Sequence, residues 1–146
     1  MAKQIATKKE FETENFKITV GTTDKKNPKT FYIEFNCSVS MKDTSKYSDG
    51  LEFDIANSIR KLSHKASGRF DVKKDTLAGA TMSSENIKNG KDSSFTVWVY
   101  FMQDSYKIKD FSDVYGMSIE IVNMFSPEIE RIILENNLEY RKNKNR

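Results

Sequence analysis

The chain reads as a single α+β domain, mainly antiparallel sheet with two helices, and three observations lead there. Runs with a two-residue apolar period outnumber those with a helical one. The segments follow one another as strand-strand-helix-strand-strand-strand-helix, without the βα alternation of a parallel sheet. The 146 residues also suffice for one hydrophobic core but do not call for a second domain.

In chain order, residues 1–12 are polar and lysine-bearing and are expected to form a flexible basic arm, ahead of a domain over residues 13–141. Phe16, Ile18 and Val20 alternate with Lys17 and Thr19, which predicts a strand with one buried face. Pro28 closes a polar connection before the clearest strand. There Phe31, Ile33, Phe35, Cys37, Val39 and Met41 share one face, and Tyr32, Glu34, Asn36, Ser38 and Ser40 the other. These two strands should pair as a hairpin.

Asp49 followed by Glu52 resembles a capping box, and Leu51, Ile55, Ile59, Leu62 and Ala66 recur at helical spacing, so a helix is expected from Gly50 to Ser67, closed by Gly68. Phe53, Arg60 and His64 fall on its outer side. Phe70 and Val72 could begin a short strand. Residues 74–94, rich in Gly, Ser, Ala, Asn and Lys, then read as a long loop reaching toward a partner, with Leu77, Met82 and Ile87 as its apolar anchors; a short hairpin within it is the other possibility.

Residues 95–102, Phe-Thr-Val-Trp-Val-Tyr-Phe-Met, are apolar on both sides and suggest the central strand, covered on both faces. Gln103 to Tyr115 reads as a polar connection with room for a short edge strand. Met117, Ile119 and Ile121 alternate with Ser118 and Glu120 as in a strand, the choice made here, although Val114, Met117, Ile121, Met124 and Phe125 also fit a helical stripe. Ser126-Pro127-Glu128 resembles a helix start, predicting a last helix from Pro127 to Arg141. Its main stripe is Ile129, Ile132, Ile133 and Tyr140. Leu134 and Leu138 make a second stripe on the opposite side.

Charge is concentrated at the ends. Lys3, Lys8 and Lys9 stand in the first nine residues, and Arg141, Lys142, Lys144 and Arg146 in the last six, with no acid in either stretch. The ends thus hold +7 of a chain whose net charge is +3, which leaves −4 for residues 10–140. Basic tails, including residues 142–146, on an acidic body suit docking onto an acidic partner, whether nucleic acid or a neighbouring subunit. Lysine outnumbers arginine 19 to 5, which favours non-specific phosphate contacts over base reading.

The parts for most catalytic chemistry are missing. His64 is the only histidine and Cys37 the only cysteine, so zinc sites, disulfides and Ser-His or Cys-His pairs lack members, and no phosphate-binding glycine motif or calcium loop is present. Cys37 alternates with core residues and His64 reads as a surface side chain. Asp71-Val-Lys73, with Asp54 upstream, is the best trace of a metal-dependent nuclease, but such triplets arise by chance in a lysine-rich chain. Glu128 and Glu130 are attributed to the dipole of the helix start, and Gly79 and Gly90 to turns.

The expectation is therefore a non-enzymatic structural or assembly subunit, such as a phage virion component. It would need no cofactor or metal and be located in the cytoplasm or in a virion assembled there. No 18-residue apolar run is present to cross a membrane. The partners expected are further copies or other protein subunits, held through Leu134, Leu138, Phe53, Leu77, Met82 and Ile87. The alternative is a nucleic-acid-binding module that uses Lys8, Lys9, Arg141, Lys142 and Lys144 for phosphate and Tyr32, Trp98 and Tyr100 for stacking.

Overall fold

Alternation of large apolar and polar residues over twelve positions makes β3 (Thr30–Met41) the middle of a six-stranded antiparallel sheet. The computed structural model describes residues 8–22, 30–70, 77–102 and 111–140. The order is β1 (Lys8–Glu12), β2 (Lys17–Thr22), β3, β5 (Ser93–Met102) and β4 (Leu77–Met82), and β6 (Leu138–Tyr140) joins β3 beyond the start of β2. Three helices, α1 (Leu51–Phe70), α2 (Ser84–Lys88) and α3 (Phe111–Glu135), complete an α+β single domain.

The register sorts every side chain to one of two faces. On the covered face, Val20, Ile33, Val99 and Ala78 lie in one row and Ile18, Phe35, Val97 and Ala80 in the next. Against these rows α1 buries Leu51, Ile55, Ile59 and Leu62, and α3 buries Ile121, Val122, Phe125, Ile129, Ile132 and Ile133. The two helices also pack on each other. Phe35 stacks on Phe125 with ring centroids 6.1 Å apart, tying the middle strand to α3.

The β2–β3 hairpin pairing and the helix from Leu51 follow the expectations, but several others are corrected. Lys8–Glu12 is an edge strand, because Phe11 turns inward to meet Tyr115 edge-on at 6.0 Å. Residues 1–7 lie outside the described residues. The expected loop over 74–94 holds β4 and α2 instead. β4 was illegible because it is built of small residues: Ala78 and Ala80 are small where α1 packs on the strand. α2 is capped by Ser83, whose hydroxyl accepts from the Asn86 amide at 3.2 Å. The helix α1 runs on through Gly68 to Phe70, so Phe70 begins no strand; Val72 is outside the described residues.

Residues 117–121 belong to α3, not to a strand. Ser118, Ile121, Val122 and Phe125 are buried at helical spacing. Pro127 lies inside this helix and starts nothing; it and Asn123, whose carbonyl loses its partner, are both on the exposed side, where water can take the bond. Glu128 and Glu130 are consequently mid-helix. Nor does α3 reach Arg141. Asn137 adopts φ 64°, a left-handed stop, and its carbonyl and side-chain amide bond to Lys42 N and Asp43 O at 2.9 and 3.0 Å, turning the chain into β6.

Candidate functional site

The face of the sheet away from α1 and α3 carries the most distinctive group of side chains. Since β5 alternates, Trp98 and Tyr100 leave it on the side opposite Val97 and Val99, and Tyr32 and Glu34 of β3 stand beside them in the pairs Tyr32↔Tyr100 and Glu34↔Trp98. This corrects the expectation that β5 is central and covered on both faces: β3 is the middle strand, and Tyr100 is 38% exposed. The ring centroids of Tyr32 and Tyr100 are 5.7 Å apart, as are those of Trp98 and Tyr100, the latter pair edge-on. The three rings form one contiguous cluster.

Two glycines make it possible. A Cβ on Gly21 would fall 2.5 Å from the Tyr32 hydroxyl, and one on Gly79 would fall 2.6 Å from the Trp98 ring. Each ring thus lies over the bare backbone of the neighbouring strand, half-buried without a helix of the described residues above it. Gly79 therefore serves close approach and not a turn, whereas Gly90, at φ 76°, does serve one.

Around the rings the polar residues are mainly acidic. Lys8, Glu10, Glu12, Lys17, Glu34 and Glu139 share this face by register, four carboxylates to two ammonium groups. Glu10 lies 3.9 Å from Lys8 and 3.8 Å from Lys17. Glu34 has no ion-pair partner among the described residues. Burial first, and then the charge of Glu34, pushes the Tyr32 hydroxyl above its ordinary pKa, with Tyr100 and Glu10 adding to the shift.

The other expected site residues are scattered. Leu134 is 52% exposed on α3 and Phe53 is 67% exposed on α1, but Leu138 is fully buried in β6 opposite Met41. The Leu134–Leu138 stripe does not exist, because the helix ends between them. Ile87 is fully buried and Met82 half-buried against the core, so neither reaches out; Leu77 begins β4, paired with Tyr100 of β5. Lys9 turns to the covered side, its ammonium 4.7 Å from the centre of the Tyr115 ring, while Lys8 stays on the open face. Arg141, Lys142 and Lys144 lie outside the described residues, as do Asp71 and Lys73.

Asp54 is exposed on α1, and no group of three or more His, Cys, Asp or Glu among the described residues could hold a metal ion. His64 is exposed. Glu128 pairs with Arg131 at 2.8 Å, and that hydrogen bond holds its carboxyl below the usual range; Glu130 accepts from Asn15 at 3.2 Å. Burial pushes the Cys37 thiol up to about 12, which suits a core side chain and disfavours a nucleophile. None of the helices among the described residues is long and apolar enough to cross a membrane.

Glu34 and Glu10 were missed as members of the patch. The alternation of β3 already set Glu34 beside Tyr32, but Glu10 was hidden because its strand read as an arm. The chain matches no known protein-family model, no curated protein and no solved structure.

Proposed function

We propose that the chain is a non-enzymatic assembly subunit, such as a virion component, that holds protein partners through the open face of its sheet. The observation that carries this reading is the contiguous cluster of Tyr32, Trp98 and Tyr100 on a face over which no helix of the described residues lies. Aromatic side chains that are already ordered contribute contact area at low entropic cost, and they are enriched at protein interfaces. The same cluster could stack unpaired bases, which is what favours a nucleic-acid-binding reading. The surrounding carboxylates weigh against it, because Glu10, Glu12, Glu34 and Glu139 repel phosphate where a strand would have to run.

The test is the native mass of nuclease-treated protein by size-exclusion chromatography with light scattering. A closed oligomer is expected, and Tyr100→Lys, which replaces the most exposed ring of the cluster, should reduce its mass with the far-UV circular dichroism unchanged. A 16.9 kDa monomer at every concentration would overturn self-assembly. Salt-sensitive quenching of Trp98 by a single-stranded oligonucleotide would move the reading to nucleic acid.

A further inference from the structure

We propose that Glu34, Tyr32, Trp98 and Tyr100 form a seat for a cationic side chain, and that residues 141–146 of a second copy supply the cation. The proposal rests on the assembly reading above and names what fills the patch. Glu34 is a carboxylate on the middle strand, directly opposite Trp98 and two residues from Tyr32, with no ion-pair partner among the described residues. A cation placed here would meet a carboxylate and aromatic faces together, so ion pairing and cation–π attraction act on the same group. The rings are already in place. Tyr32 and Trp98 are held over Gly21 and Gly79, and Tyr100 lies against both, so little ordering is left for the binding step.

Charge complementarity selects the occupant. Residues 141–146, Arg-Lys-Asn-Lys-Asn-Arg, carry four cations and no acid, and arginine's planar fork both stacks on rings and bridges a carboxylate. The body, residues 10–140, carries −4. Tyr140 stands opposite Val39, five residues and about 17 Å along β3 from Glu34, so six further residues of the same chain, which span about 20 Å at full stretch, would reach their own seat only when almost fully extended. Docking onto a second copy carries no such restriction. Because the seat and the segment are different surfaces, docking closes as a reciprocal dimer or a ring, or extends as a filament.

The experiment titrates the synthetic peptide Arg-Lys-Asn-Lys-Asn-Arg into the full chain and follows the fluorescence of Trp98, the chain's one tryptophan. The expected result is a saturable, salt-weakened change, with affinity lower by about fivefold or more in Glu34→Gln. In parallel, Glu34→Gln and the pair Arg141→Gln, Arg146→Gln should each lower the native mass while the circular dichroism is kept. If Tyr100→Lys breaks the assembly but Glu34→Gln and the arginine variants leave it intact, the seat is wrong and the assembly reading stands. If none of these changes alters the mass, both fall. A peptide response of equal size in Glu34→Gln overturns the role given to that carboxylate.

Discussion

β3 and β5 face two different environments. On one side Phe31, Ile33, Phe35, Phe95, Val97 and Val99 are at most 1% exposed beneath the helical layer; on the other Tyr32, Glu34, Asn36, Thr96 and Trp98 are half-buried with no helix of the described residues above them. Large side chains stand on both. Residue type alone therefore does not separate a core face from a binding face; what separates them is how burial is achieved. The covered face is buried by a second layer, whereas the open face is buried laterally, Tyr32 and Trp98 each resting on a glycine of the next strand and on Tyr100. Lateral burial leaves one surface of the rings available to a partner. Carboxylates can remain there because water still reaches them.

The same substitution at a covered position of the sheet and at an exposed position of α3 has the largest expected difference. Leu138→Asp would put a carboxylate at a fully buried position opposite Met41 and should cost about 4 kcal/mol or more, enough to unfold a domain of ordinary stability. Leu134→Asp, four residues earlier and 52% exposed, should stay within about 0.5 kcal/mol. Urea unfolding of the two variants checks this. Equal losses would mean that Leu134 is also covered.

A smaller effect tests the lateral packing. Gly79→Ala sets a methyl group 2.6 Å from the Trp98 ring, which must then move off the strand and away from Tyr100. Overpacking of this kind costs about 1–2 kcal/mol here, since the alanine also restricts the unfolded chain slightly. The Trp98 emission should shift to longer wavelength as the ring becomes wetter. A stable variant with unchanged emission would show that the ring does not rest on Gly79.

Most of the sheet was legible because β2, β3 and β5 alternate without interruption, and one side of a long alternating strand must be buried. What was hidden had specific causes. β4 is Leu-Ala-Gly-Ala-Thr-Met, whose small residues have no strand signal of their own and make sense only beneath α1 and Trp98. Residues 117–121 satisfy both periods, and only the continuation to Phe125 and Ile129 decides for a helix. Pro127 imitates a helix start because the local preference at a first turn is also satisfied on the exposed side of a helix interior. Asn136-Asn137 held the true stop, legible as a residue type tolerant of positive φ but masked by Leu138, which continues the apolar spacing from Leu134. For the patch, the shared face of Trp98, Tyr100 and Tyr32 was readable, but whether a helix covered it was not, since that depends on which side α1 and α3 take.

The covered face also contains the group whose ionisation most sharply tests its dryness. Cys37 pairs with Phe95 on that side, and burial raises its thiol from an ordinary 9.0 to about 12. Raised folded-state affinity for the proton means that the folded and unfolded states bind it equally below pH 9, so no stability is lost there. Between about pH 9 and 12 the unfolded chain releases the proton while the folded chain keeps it, and stability should fall as pH rises through that window. Cys37→Ala removes this component of the slope. In the native protein the thiol should react with a disulfide reagent far more slowly at pH 8 than in urea, because little thiolate forms while the sheet is closed. Equal rates in the two conditions would place Cys37 in water and contradict the coverage of that face by the helices.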